Sequence, residues 1–149
     1  MKVFVGSDHA GFALKEEIKK HLQKKGFEVQ DLGTNSEEST DYPDYAAKVA
    51  KSVAKGKSAL GIVVCGTGTG TAIAANKVKG IRAAQATSVY LAKMSREHND
   101  ANVLSLGSRV SKTKDALEMV DVFLSTPFSG EERHRRRVEK ISLIEKIKK

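Results

Sequence analysis

The chain reads as an α/β protein: one parallel sheet of five strands with helices on both faces, closed by a C-terminal helix. Two observations point there. Apolar strand-length runs alternate with helix-forming segments through all 149 residues, with short links between them. The third strand, from Leu60, contains the unbroken apolar run Ile62-Val63-Val64, the mark of a strand buried on both faces. The length suits a single domain over residues 1–149 with its own core.

Taken in order, Lys2–Ser7 is an apolar strand. Gly11–Lys25 is helical, with Leu14, Ile18 and Leu22 recurring every four residues and Gly26 as its stop. Phe27–Leu32 is the second strand, ended by Gly33, and Asn35–Asp41 is a polar loop. Pro43 suits the first turn of a helix running to about Ala54. Leu60–Cys65 is strand three, Thr71–Val78 a short helix, Ile81–Ala86 strand four and Ser88–Glu97 a helix. Asn102–Leu106 is strand five, Lys112–Ser125 a helix and Glu132–Ile147 the last helix. The common flavodoxin-like order 2-1-3-4-5 is the expected arrangement, and its ligand crevice opens between strands one and three, beyond their carboxyl ends.

Composition narrows the function. One cysteine excludes a disulfide framework and a multi-cysteine zinc site. The N-terminus lacks a signal-peptide core and no apolar run reaches membrane-spanning length, so a cytoplasmic protein without membrane contact is expected. The net charge of +8 invites a nucleic-acid reading, but Glu131 to Lys149 carry eight Lys/Arg and four Glu, half of that net charge. The other lysines are scattered among glutamates, with little aromatic interleaving. A small anionic ligand explains the charge more economically than nucleic acid does.

The richest segment is Cys65-Gly66-Thr67-Gly68-Thr69-Gly70-Thr71, a thiol at a strand end followed by three alternating glycines and a helix. Free N–H groups and the helix dipole favour an anion there, and the same field makes thiolate more available. Three familiar loops do not fit. No lysine follows until Lys77, as a Walker loop would need; the third glycine is Gly70 where the dinucleotide fingerprint requires position 71; and Thr71 stands where a cysteine phosphatase has arginine. The plain alternative is a small buried cysteine before a tight turn.

Position decides between them. The loop after strand one, Ser7-Asp8-His9-Ala10-Gly11, would meet the Cys65 loop in one crevice, joining a carboxylate, an imidazole and a thiol. Asp8 could instead cap a helix and His9 could be merely solvated, but their meeting beside Cys65 favours catalysis. On the last helix, Arg133, Arg137, Ile141 and Ile144 fall within about 80° of one another. Two arginines on an apolar stripe need an anion, and their spacing forms a fork suited to phosphate. His98 and Asn99 precede strand five and so lie at the opposite, amino edge of the sheet from Cys65. A site using both would be shared between two chains.

These motifs together resemble the ribose-5-phosphate isomerase B family: Ser-Asp-His-Ala-Gly at 7–11, Thr-Asp-Tyr-Pro at 40–43, Cys-Gly-Thr-Gly-Thr-Gly at 65–70, Ala-Ala-Asn-Lys at 74–77, Gly-Ile-Arg-Ala at 80–83, His-Asn-Asp-Ala-Asn at 98–102, Gly-Ser-Arg at 107–109 and the Arg133/Arg137 pair. The resemblance spans essentially the whole chain. It implies a Rossmann-like fold and a cofactor- and metal-free interconversion of ribose 5-phosphate and ribulose 5-phosphate, in a homodimer or dimer of dimers. By position, Cys65 would be the general base and Thr67 its hydrogen-bonding aid. The N–H groups from Gly66 through Gly68, Thr69 and Gly70 to Thr71 would hold the enediolate oxygen. His98 would open the furanose ring, Asp8 and Asn99 would bind the sugar, and Tyr42 would line the pocket. His9, Arg109, Arg133 and Arg137 would hold the phosphate. One branch of the family has a glutamate base at the loop end; Thr71 stands there, which places this chain with the cysteine type. Relatives act on six-carbon allose or galactose 6-phosphate, and nothing in these residues excludes a longer sugar. The competing class is a non-catalytic nucleotide or FMN module, which would need a glycine-rich ATP loop late in the chain or a phosphate loop after strand one.

Overall fold

A computed structural model describes residues 1–147; the last two residues of the expected 1–149 domain lie outside it. Its elements, in chain order, are β1 (Lys2–Ser7), α1 (Phe12–Lys24), β2 (Glu28–Asp31), α2 (Tyr42–Lys55), β3 (Leu60–Cys65), α3 (Thr69–Ala75), β4 (Ala83–Gln85), α4 (Val89–Asn99), β5 (Val103–Gly107), α5 (Thr113–Ser125) and α6 (Glu132–Ile144). All strand pairs are parallel. Val3, Val5, Ile62, Val64, Leu104 and Leu106 pack on one face against α1, α4 and α5, with Ile18, Leu22 and Phe123 fully buried there. Phe4, Val63 and Val103 point to the other face, against α2 and α3. Two covered faces explain the near-continuous apolar strands.

The strand order is β2-β1-β3-β5-β4, not 2-1-3-4-5. The last two strands exchange places, for a reason visible in their side chains. Strand β5 is buried at every position, whereas β4 is a three-residue Ala-Ala-Gln piece, half-buried to exposed. A fully buried strand belongs in the interior of the sheet, and a short polar one tolerates the edge. The β1/β3 switch point survives this exchange. Its neighbour does change: β5 lies directly beside β3, with Cys65 opposite Gly107 in register.

Helix α3 begins at Thr69, two residues before the expected start, because Gly68 caps it in a left-handed conformation (φ 80°) that other residues adopt only under strain. Helix α6 packs on α4 through the face that carries His134, its only buried residue. Val138 and Ser142, four and eight residues on, are half-buried on that face. The expected buried stripe is therefore displaced. Arg133, Arg137, Ile141 and Ile144 lie on the neighbouring, exposed face, with Ile144 at 65% exposure. Among the described residues, no helix is long and apolar enough to cross a membrane.

Candidate active site

Beyond the carboxyl ends of β1, β3 and β5 lies an open cavity of about 440 Å³, lined by Asp8, His9, Tyr42, Cys65, loop residues Gly66, Thr67, Thr69 and Gly70, and Arg109. Each side chain is delivered by a strand end or the helix that follows it. Asp8 follows β1. It is buried, and its Oδ1 accepts the N–H of Gly11 at 3.0 Å, which fixes the turn ahead of α1; the N-cap of that helix is Gly11, not Asp8. Gly11 passes so close to β3 that a Cβ there would lie 2.6 Å from the Val64 carbonyl oxygen. That approach brings the Asp8–His9 turn against Cys65.

His9 is clamped by Thr40. Its N–H donates to Thr40 Oγ1 at 3.2 Å, and its ring Nδ1 accepts the Thr40 N–H at 3.1 Å. With Nδ1 occupied as an acceptor, the proton of a neutral ring sits on Nε2, which leaves a donor for the cavity. Arg109 enters because β5 neighbours β3: the N–H groups of Ser108 and Arg109 donate to the carbonyls of Cys65 and Gly66, both at 2.9 Å. The guanidinium then lies over Gly66, where a Cβ would come within 2.9 Å of it. The Tyr42 ring covers Gly70 in the same way, at 2.6 Å.

Cys65 is 4% exposed. Burial pushes its thiol up, but hydrogen bonds aimed at the sulfur outweigh that and hold it below the ordinary thiol value. The donors are the Thr71 hydroxyl at 3.3 Å, the Gly68 N–H at 3.1 Å, and the N–H groups of Thr71 and Thr67. Thr67, expected to aid Cys65 by hydrogen bonding, reaches the sulfur through its backbone N–H, while its Oγ1 accepts the Thr69 N–H at 3.3 Å; the hydroxyl on the sulfur is that of Thr71, fully buried behind it. The cause is the early start of α3, whose first turn swings Thr71 beneath Cys65. Several N–H groups expected to face an enediolate thus face the sulfur instead. Gly66, Thr67, Thr69 and Gly70 still line the cavity. From the edge strand, the Gln85 Nε2 donates to the Thr67 carbonyl at 2.8 Å and braces the loop.

Gly68 and Thr71 sit behind Cys65 rather than on the cavity wall, and four more expected site residues lie elsewhere in the chain. His98 ends α4 and stacks on His134, with ring centroids 4.2 Å apart. Asn99 lines a separate, more apolar cleft with Ile81, Ala84, Ile141 and Ile144. Arg133 donates to Glu131 at 3.0 Å, and Arg137 is exposed one turn further along α6. His98, Arg133 and Arg137 nevertheless form one basic group, since all three act on His134. Burial first, then the neighbouring His98 ring and the Arg133 and Arg137 guanidiniums, push the His134 imidazole below its usual value. Ser129 Oγ lies 2.7 Å from His134 Nδ1 and orients the ring. His134 was missed from the sequence because Arg133 and Arg137 flank it and draw attention to the other face. Thr40 was visible only as part of a motif.

The Ribose/Galactose Isomerase family model matches residues 3–141 of the chain. This chain belongs to that family. Among the isomerase relatives, the Escherichia coli ribose-5-phosphate isomerase B is 51% identical over 144 residues, covering 97% of this chain and 96% of the relative. The structure of Clostridium thermocellum ribose-5-phosphate isomerase B superposes with a TM-score of 0.95 at 56% identity, over 98% of each chain. The Mycoplasma genitalium ribose-5-phosphate isomerase B, solved with bound ribulose-5-phosphate, has a TM-score of 0.94 at 46% identity, over 99% of this chain and 97% of that one. This isomerase chain therefore shares its fold with these family members over nearly all of the matched length.

Proposed function

We propose that the protein interconverts ribose 5-phosphate and ribulose 5-phosphate, the step that belongs to the non-oxidative pentose phosphate pathway in the cytoplasm. The observation that carries the reading is Cys65, the only cysteine of the chain, held with donors on its sulfur at the floor of the strand-end cavity. An aldose–ketose shift needs one base that takes a proton and gives it back. Cys65 as thiolate removes the C2 proton of the open-chain aldose. The electron pair moves into the C1–C2 bond, and the former carbonyl oxygen takes the negative charge of an enediolate. Loop N–H groups facing the cavity stabilise that charge. A proton then passes from the C2 hydroxyl to the C1 oxygen, and return of the abstracted proton to C1 leaves the carbonyl at C2, which gives the ketose. The chemistry uses neither metal nor organic cofactor.

His9 and Arg109 hold the phosphate, Asp8 and Asn99 the sugar, and His98 opens the ring. His98, Asn99, Arg133 and Arg137 come from a second copy, which supplies them to the Cys65 cavity of the first. Support for that copy comes from α6. Its exposed Ile141, Leu143 and Ile144, continuous with the apolar cleft beside Asn99, form a patch of the kind that oligomers cover. Arg133 and Arg137 share that side of α6; Arg133 pairs with Glu131 of its own chain, and the substrate phosphate in the partner's cavity is the anion that both would clamp.

The test follows the proton. Cys65→Ala should abolish deuterium incorporation at C2 from heavy water while circular dichroism stays that of the native protein. Near-normal exchange in the variant would leave Cys65 as a core residue. The same assay run on allose and galactose 6-phosphates sets the sugar length.

A further inference from the structure

Behind Cys65, on the side away from the cavity, two hydroxyls are buried in a row. Ser105 Oγ lies 2.7 Å from Thr71 Oγ1 and 2.7 Å from the Gly68 carbonyl oxygen, and Thr71 Oγ1 lies 3.3 Å from Cys65 Sγ. Both residues have no exposure to solvent. Ser105 stands between Leu104 and Leu106 on β5, a strand buried throughout, where a hydroxyl costs free energy unless it is fully bonded. Strand geometry alone would accept alanine or valine there.

Each hydroxyl has a single proton, and the Gly68 carbonyl can only accept. With the 2.7 Å Ser105–Thr71 bond kept, two settings differ at the sulfur; the Gly68 carbonyl, 3.3 Å from Thr71 Oγ1, is a further acceptor open to Thr71. In one, Ser105 donates to the Gly68 carbonyl and Thr71 donates to Ser105 Oγ, so the sulfur receives no hydroxyl proton; this suits the neutral thiol. In the other, Ser105 donates to Thr71 Oγ1 and Thr71 donates to the sulfur; this suits the thiolate. The Gly68 carbonyl keeps the Ala72 N–H at 3.2 Å in both. The settings exchange by turning two hydroxyls, with no heavy atom displaced.

We propose that Ser105 is a positioning residue for Cys65, turning the Thr71 hydroxyl toward the sulfur when the proton leaves and away when it returns. This rests on Cys65 being the base of the reaction proposed above. Chained hydroxyls polarise one another, so the dipole of Ser105 adds to that of Thr71 when the sulfur is charged. The other titratable groups facing Cys65 are Asp8 and His9 after β1, Tyr42 on α2 and Arg109 after β5. All of them line the cavity side, so a change at Ser105 leaves them in place.

The experiment measures the alkylation rate of Cys65 by iodoacetamide against pH; with a single cysteine, the signal belongs to it alone. In Ser105→Ala the midpoint should rise by about half a unit to one unit, through loss of one polarising donor. The KM for ribose 5-phosphate should stay as it is, while the kcat–pH profile moves with the midpoint. Ser105→Gly should behave alike, and serves if the alanine variant folds poorly. In a Thr71→Val background, removing the Ser105 hydroxyl should move the midpoint no further. An unmoved midpoint in both Ser105 variants overturns the proposal, as does an equal shift with Thr71→Val present. Failure of the base assignment reads differently: Cys65→Ala would then keep its C2 exchange, with the Ser105 effect on alkylation intact.

Discussion

If each active site joins Cys65 of one chain to His98 of another, two inactive variants should restore activity when mixed. The register sets the scale. Cys65 lies opposite Gly107, and Gly61 opposite Val103, so the two edges of β5 are four residues apart. At about 3.3 Å per residue that is roughly 13 Å, before the added reach back to the end of α4. A hydrogen bond needs about 3 Å, so no rotamer of His98 serves its own Cys65 cavity. In a two-fold dimer, Cys65→Ala and His98→Ala homodimers each lack one group at both sites. Random reassembly makes about half of the dimers mixed, each with one intact and one doubly defective site, so about a quarter of all sites recover. The assay is the initial rate of ketose formation after joint dissociation and refolding, with the rate of each parent subtracted. No recovery, with mixed dimers counted by native mass spectrometry, would refute the reasoning and put His98 back in its own chain's site.

Two further outcomes test other parts of the molecule. Arg137→Ala should weaken inhibition by inorganic phosphate by about 2 kcal/mol, or about thirtyfold, through loss of one charge-assisted pair, and unchanged inhibition would remove Arg137 from the clamp. Asp31→Asn should destabilise the fold. Lys15 has no solvent exposure, and its Nζ lies 2.6 Å from the carboxylate, which also receives Lys19. Burial raises the Asp31 carboxyl, but Lys15, Lys19 and the Gly33 N–H hold it below the usual carboxylate value. A lowered carboxyl contributes stability above its unfolded value of about 4 and loses it as pH falls through the folded value. Urea unfolding should show a loss of about 2–3 kcal/mol at neutral pH, at the low end for a broken buried pair because Asp31 keeps some water contact. The gap between the two proteins should close below about pH 4.

The cavity was largely legible from the chain because local rules govern its parts. Asp8, His9 and Cys65 were placed by the ends of apolar strands, and parallel strands put such ends at one edge. The edge of His98 was legible for the same reason, since it precedes a strand. The Thr71 hydroxyl beside Cys65 was not legible because Thr67 and Thr71 alternate with glycines, and only the left-handed turn at Gly68 decides which one swings under the sulfur. Ser105 and Gln85 carry no local signal, being single polar residues on strands whose neighbours in space lie far away along the chain.

By itself, then, the sequence determined the strand ends, the thiol at one of them and the separation of Cys65 and His98 to opposite edges. These depend on hydrophobic periodicity and chain direction, which a short window contains. Tertiary structure alone decided that β5 sits beside β3, bringing Arg109 over Gly66, and that α6 packs through His134 and leaves Arg133 and Arg137 exposed. Both outcomes compare burial across distant segments: β5 can be covered on both faces where β4 cannot, and α6 turns inward the face that fits α4. No local pattern encodes a competition between elements for the same buried place.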